Sequence, residues 1–514
     1  MDASPVRGLV AALVLGGSLV AQNHKLHPPL TGGRDVTRYE TSPDGRRVVY
    51  LADADVDDLF NLFSVDLKGG EPKRLESRSC SQFVISPDSR RVAYTRFPSA
   101  LCSVPIDGSG PPIDIGPYTG TFDVTADGSR VVFLVGGRNG RLFSVPIDGS
   151  EAPVQLHESD NIHFLFELTP DGSRVVFLNE GTISHTASMG HVYSARVDGS
   201  EPPVLLNTDQ SACSIGSFAI DPSSTWLVYR EGRLDAFTDG VFGVPLDGSA
   251  APALLNAPLG PGGARMLFTT SSHPRFTPDG ERVVFRLDPQ IGPEQLLSAP
   301  SRGGQPAFAL NAPLPPIGVV GGNQLTLDGS RVVYVKSVGG FDTFELFAVP
   351  VLGGAPVQLN APIASGGRVF DFELSPDGRH VAYRAAQAVG ELGLYLTALD
   401  GAEEPIRIID SGVSGILGFA EASTLVFEGF DQFDQGVQLF AVDLLERRPW
   451  RLDGPMVTGG GIPSSDPYPD FSGESYFARI ALQGKLVVYR ADQDRDEVFE
   501  LYASPLSRER VAKR

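Results

Sequence analysis

A four-residue turn signal recurs along this chain, and a short apolar run follows it each time. Ser375-Pro376-Asp377-Gly378 leads into Val381-Ala382-Tyr383. Ser42-Pro43-Asp44-Gly45 leads into Val48-Val49-Tyr50, and Ser86-Pro87-Asp88-Ser89 into Val92-Ala93-Tyr94. Asp127-Gly128, Asp171-Gly172, Asp279-Gly280 and Asp328-Gly329 stand before Val131-Val132-Phe133, Val175-Val176-Phe177, Val283-Val284-Phe285 and Val332-Val333-Tyr334. A degenerate copy, Asp221-Pro222-Ser223-Ser224, precedes Leu227-Val228-Tyr229. Two eroded copies end at Leu425-Val426-Phe427 and Val487-Val488-Tyr489, so ten units follow one another at roughly 39 to 62 residues. A period of that size is the signature of a β-propeller built from four-stranded blades.

One unit reads as four antiparallel strands. Phe370 to Leu374 forms the first. The Pro-Asp-Gly turn suits a tight hairpin, because proline presets its dihedral, aspartate bonds nearby backbone and glycine accepts positive φ. Val-Val-Tyr is the second strand, apolar at consecutive positions because a blade is covered on both faces. Leu142-Phe143-Ser144-Val145-Pro146 typifies the third, and Asp148-Gly149-Ser150 turns the chain again. Pro153-Val154-Gln155-Leu156 typifies the fourth, at the outer edge, where proline is tolerated. The fold class expected is all-β: one large ring of about ten blades over residues 31–508, favoured over two tandem rings.

These Ser/Thr-Pro-Asp-Gly turns, Val-Val-Tyr/Phe strands and Leu-Phe strands closed by Asp-Gly or Gly-Gly resemble the WD40-like PD40 repeats of TolB-type β-propellers. The resemblance covers nearly the whole of 31–508. It implies a bacterial, exported interaction scaffold, binding a protein or a cell-envelope polymer. TolB also carries an α/β domain before its propeller. Here only residues 22–30 separate the first apolar run from the first blade.

The ends of the chain are distinctive. Arg7 precedes the apolar run Leu9 to Val20, which is too short to span a bilayer and suits a secretory signal over 1–21. The expected location is periplasmic or secreted, with no membrane span after signal removal. The last unit has a third strand at Leu501-Tyr502-Ala503-Ser504, but only the basic tail 509–514 stands where a fourth belongs. Gln22 to Leu26 is spaced like a fourth strand and is a candidate to close the ring.

A net charge of −20 argues against nucleic acid, which needs a basic face. It suits a basic partner or divalent cations, and it implies no oligomeric state. Cys80, Cys102 and Cys213 form no metal knuckle. Cys80 and Cys102 fall on strands one and three of one blade, too far apart to bridge.

The turns of Asp-Gly type fall on one face, short and uniform. The longer, variable connections fall on the other, where function is expected. There Asp53, Asp55 and Asp57 in the first unit, and Asp492, Asp494 and Asp496 in the last, alternate as Ca²⁺ ligands do. Asp431, Asp434, Asp466, Asp470 and Glu474 would extend the same acidic sector. The glycine and closing glutamate of an EF-hand are missing, and alternation also arises wherever exposed strand ends point every second residue to water. No cofactor is otherwise implied.

Catalytic signals are sparse. No Gly-x-Ser-x-Gly elbow and no α/β tail follow the blades, against a propeller-gated peptidase. Trp226 and Trp450 read as packing residues rather than sugar platforms. The leading expectation is a non-catalytic binder. The alternative is a polysaccharide lyase or glycoside hydrolase acting at the axial mouth. Charges on the innermost strands would favour the enzyme, and an apolar channel the binder.

Overall fold

A computed structural model describes residues 23–506 apart from 31–33 and scattered segments, the longest being 181–189, 257–263, 266–272 and 464–477. The proposed signal over 1–21, the tail 509–514, and Asp431, Asp434, Asp466, Asp470 and Glu474 lie outside the described residues.

The chain is all-β, with no helix among the described residues, and forms ten antiparallel sheets arranged as a ten-bladed propeller. Blade 1 comprises Val36–Thr41, Arg47–Ala52, Asn61–Asp66 and Lys73–Glu76, paired in that order. Blades 2 to 5 run Cys80–Pro117, Phe122–Gln155, Ile162–Leu205 and Cys213–Leu254. Blades 6 to 9 run Ala264–Ala309, Val320–Gln358, Arg368–Ile409 and Val413–Arg451. In blade 6 the first strand is split, since Ala264–Arg265 and Arg275–Phe276 both pair with Arg282–Pro289.

Blade 10 takes three strands from Ala478–Pro505 and its fourth from the other end of the chain. His24 pairs with Ala503 and Lys25 with Tyr502. Lys25 Nζ reaches Glu500 and Asp494, each at 2.6 Å, and Asn23 donates to Tyr489 Oη at 2.7 Å. The seam to blade 1 is stitched as well. Tyr39 Oη donates to Val488 O, Arg490 Nη1 to Thr37 O, and Phe499 N to Asp35 Oδ1.

Ten hydrophobic clusters fill the ten junctions between successive blades. Consecutive apolar residues are explained by this geometry. Val48 and Tyr50 pack toward blade 10, while Val49 and Leu51 pack toward blade 2. Within blades, aromatic pairs stack across the second and third strands, as Tyr50 on Phe63 at 5.2 Å and Tyr383 on Tyr395 at 5.3 Å.

The repeated turn has a chemistry of its own. Ser42 Oγ donates to Asp44 Oδ1 and accepts from Arg47 N, while Gly45 N donates to Ser42 O at φ +67°. Thr125, Thr169, Thr277, Thr326 and Ser375 repeat the hydroxyl's bond to the aspartate. Thr277 and the Glu281 N–H hold the Asp279 carboxyl below its ordinary value. Cys80 and Cys102 lie on the first and third strands of blade 2, both buried and free.

Candidate functional site

The structure gathers part of the acidic sector and assigns it structural work. Asp53 is buried; its Oδ1 accepts from Asp35 N at 2.6 Å and its Oδ2 from Asp58 N at 3.2 Å. Asp492 is its counterpart, accepting from Gly461 N at 2.5 Å and from Glu497 N at 3.1 Å. Both carboxylates brace a left-handed residue five positions on: Asp58 at φ 60° and Glu497 at φ 61°. Asp35 sits between them. Its carboxyl is raised by burial first, and the charges of Asp53 and Asp492 add to that.

Asp55 pairs with Arg74 at 2.5 Å and Asp494 with Lys25, while Asp57 and Asp496 are exposed. The oxygens of Asp53 and Asp492 are committed to backbone donors, and Asp55 and Asp494 to cations. They do not fit Ca²⁺, which needs six to eight convergent oxygens. Among the described residues no group of three His, Cys, Asp or Glu side chains is placed to hold a metal ion.

A different set of residues meets at the axis. The first strands of successive blades approach one another there, while most fourth strands are two-residue outer pieces. One position of the first strand is equivalent in every blade, being paired with the residue before the Tyr or Phe of the second strand. It is occupied in blades 1 to 4 by Glu40, Val84, Asp123 and Glu167. In blades 5 to 8 it is Ala219, Arg275, Gln324 and Glu373, and in blades 9 and 10 Gly418 and Arg479. Neighbours in this ring touch, as Gln324 Nε2 stands 3.4 Å from Glu373 Oε2.

The ring is therefore polar and uneven, with four carboxyls and two guanidiniums. Asp123 and Glu167 are exposed to solvent, yet protein walls rise around them. The loss of surrounding water raises Asp123, with Glu40's charge adding to it, and brings Glu167 to about 7. Glu373 is raised by the same cause. Glu40 is held by Arg38 at 2.8 Å.

A second carboxyl group lies between blades 8 and 9. Glu428 is buried, and burial carries it to about 7 while Arg384 pulls it down and Asp371 pushes it up. Asp371 and Arg384 pair at 2.8 Å. Chemically, a carboxyl near neutrality both donates and accepts hydrogen bonds, and it can serve as an acid.

Sequence reading by loops missed this ring. The signal was present in one column. Two residues before the hydroxyl or carboxyl that opens the turn stand Glu40, Val84, Asp123, Glu167, Ala219, Arg275, Gln324 and Glu373. The two tryptophans do pack between blades: Trp450 is buried, and Trp226 Nε1 donates to Ser301 O at 2.9 Å.

No family model and no curated protein matches this sequence. Among solved structures the fold is similar to a eukaryotic initiation factor, at 12% identity over 74% of this chain and 90% of that one, with a TM-score of 0.45. It is similar to an oligogalacturonate lyase in complex with manganese, at 12% identity over 96% of this chain and 98% of that one, with a TM-score of 0.36. The β-propeller domain of the Trilobed protease from Pyrococcus furiosus is matched at 12% identity over 63% of this chain and 97% of that one, with a TM-score of 0.32. At such identities and scores no function transfers.

Proposed function

We propose that the protein is an exported, non-catalytic propeller that binds a hydroxyl-rich cell-envelope polymer at its axial wall. Export rests on the pattern of residues 1–21. The observation that carries the reading is Glu167, a solvent-reached carboxyl near 7 in a ring that also holds Glu40, Asp123 and Glu373. A carboxyl near 7 matches sugar hydroxyls, which are themselves both donors and acceptors, and the arginines of the ring supply fixed donors.

A second reading has one observation in its favour. Desolvation, with the charge of Glu40 adding to it, raises the Asp123 carboxyl, as the acid acting on a glycosidic bond requires. That reading is a hydrolytic enzyme acting on the same polymer.

Affinity electrophoresis against a panel of neutral and acidic polysaccharides tests the first reading. The wild type is expected to be retarded by at least one, and Glu167→Gln with Asp123→Asn to lose most of that retardation. If no polysaccharide retards the protein, the axial reading fails. Release of new reducing ends would decide for the enzyme.

A further inference from the structure

On the uniform face, the junction after blade 8 lacks a pairing that five other blades share. In five blades an arginine opens the second strand and reaches a serine of the third. Arg47, Arg91 and Arg130 meet Ser64, Ser103 and Ser144 at 3.0, 2.8 and 2.9 Å. Arg174 and Arg282 meet Ser194 and Ser298 at 2.6 and 2.9 Å. A glutamate three residues past the aspartate of the next turn completes the pair: Glu151 lies 3.8 Å from Arg130, and Glu201 lies 3.8 Å from Arg174. The guanidinium also faces the following blade. Asp148 acts on Arg91, and Arg331 Nη1 donates to Leu399 O.

In blade 8 most of this set is replaced. His380 stands in the arginine position, Leu396 in the serine position, and Leu445 in the place of the turn aspartate of blade 9. The shorter imidazole leaves a cavity of about 330 Å³, bordered by Leu396, Thr397, Glu403, Leu444 and Arg447.

Its polar groups are incompletely used. The buried His380 Nδ1 has no hydrogen-bond partner. Glu403 occupies the position of Glu151 and Glu201, but the position of their arginine partner is held by His380. Asp377 and Glu404 also border the cavity, so carboxyls outnumber the single lining guanidinium, Arg447.

We propose that this cavity receives an arginine side chain presented by a partner polypeptide. The guanidinium then stands where the protein places its own on five other blades, donating to His380 Nδ1 and the Glu403 carboxylate. The methylene stem lies on Leu396 and Leu444. A planar fork with five donors serves several acceptors at once, as an ammonium does not. A peptide rather than a free small molecule is favoured by Leu445, which is 86% exposed at the rim and offers apolar surface to a neighbouring residue.

The probe is an acetylated, amidated pentapeptide with one central arginine between leucines, titrated by calorimetry beside its citrulline analogue. The wild type is expected to bind the arginine peptide at least tenfold more tightly than the citrulline one. His380→Arg with Leu396→Ser restores the pair of the other blades and fills the cavity; it is expected to keep or raise the melting temperature while abolishing binding. Glu403→Gln, nearly isosteric, is expected to weaken binding at least threefold. Equal affinity for both peptides, no heat with either, or undiminished binding by a double variant that melts normally would each overturn the proposal.

Discussion

His27 Nε2 accepts a hydrogen bond from the backbone N–H of Leu501 at 2.9 Å, joining the two ends of the described chain. The bond repeats one made inside other blades. Asn207 Oδ1 accepts from Val192 N, Asn256 from Val241 N, Asn311 from Leu296 N and Asn360 from Leu346 N. Leu26-His27 thus stands where those blades carry Leu-Asn, and Leu26 N donates to Leu501 O as Leu206 N does to Val192 O. The N-terminal segment is a true fourth strand with histidine in place of asparagine.

That replacement makes closure sensitive to pH. Nε2 is an acceptor and Nδ1–H donates to Pro28 O at 2.7 Å, so only the neutral ring fits. Burial lowers His27 below its ordinary 6.5. The folded state therefore binds fewer protons than the unfolded one. Its stabilising contribution is complete above the unfolded value and is lost as pH falls through the folded one. His27→Asn keeps an acceptor that does not titrate. Its melting temperature is expected to decline less than that of the wild type between pH 7 and pH 5, read by calorimetry. Parallel declines would refute the assignment.

The arginine–serine pair predicts that opposite changes at equivalent sites both destabilise. Ser194→Ala leaves the buried Arg174 Nε without an acceptor and is expected to cost about 1–3 kcal/mol. In blade 5 the pair is Trp226 and Gly243, and adding the missing side chain does harm. A Cβ on Gly243 would meet Ser301 O at 2.3 Å and Trp226 Nε1 at 2.8 Å. Gly243→Ser is expected to cost about 1–3 kcal/mol by overpacking, and Trp226→Arg in the same chain to recover part of it. Denaturant midpoints measure all three.

Two turns lack their glycine, and the structure shows what replaces it. Ser89 and Ser224 hold φ 60°, a left-handed conformation costly for a residue with a Cβ. Each hydroxyl accepts a bond from the preceding blade: Ser89 Oγ from Asp44 N at 3.0 Å, Ser224 Oγ from Asp171 N at 2.9 Å. Ser89→Gly relieves strain and loses the bond, so a change within about 0.5 kcal/mol is expected. Ser89→Ala keeps the strain and loses the bond, at about 1 kcal/mol. An alanine variant as stable as the glycine one would show that the inter-blade bond contributes nothing.

What could be read from the sequence was what the backbone decides locally. Asp377-Gly378 forces its turn, and Val381-Ala382-Tyr383 must be covered on both faces. Both facts hold within ten residues. The pairing of His24-Lys25 with Tyr502-Ala503 was legible because a fourth strand was missing elsewhere. The axial wall was not. Glu167 and Asp123 are ordinary alternating polar residues until ten first strands converge, and their proximity is a property of the ring. The replacement of Arg by His380 was equally silent, since only the five intact pairs give it meaning.

Asp53 and Asp492 show how a plausible metal pattern turns into a structural device, and mutation separates the two roles. A ligand set predicts similar losses across Asp53, Asp55, Asp57, Asp492, Asp494 and Asp496. The hydrogen bonds predict a sharp division instead. Asp53→Ala strands the backbone donors of Asp35 and Asp58, and removes the brace on a left-handed residue. About 2–3 kcal/mol is expected, from two lost bonds to a charged acceptor. Asp492→Ala strands Gly461 N and Glu497 N and is expected to cost the same. Asp57→Ala and Asp496→Ala, both fully in the exposed loop, are expected to change stability by less than about 0.5 kcal/mol. Asp55→Ala removes only its ion pair with Arg74, whose groups are 55% and 39% exposed, and should be nearly as silent. Urea midpoints of the five variants, with and without millimolar Ca²⁺, decide the matter. A calcium-dependent stability shared by all five would restore the metal site; a division into two costly and three silent positions assigns the carboxylates to the seam.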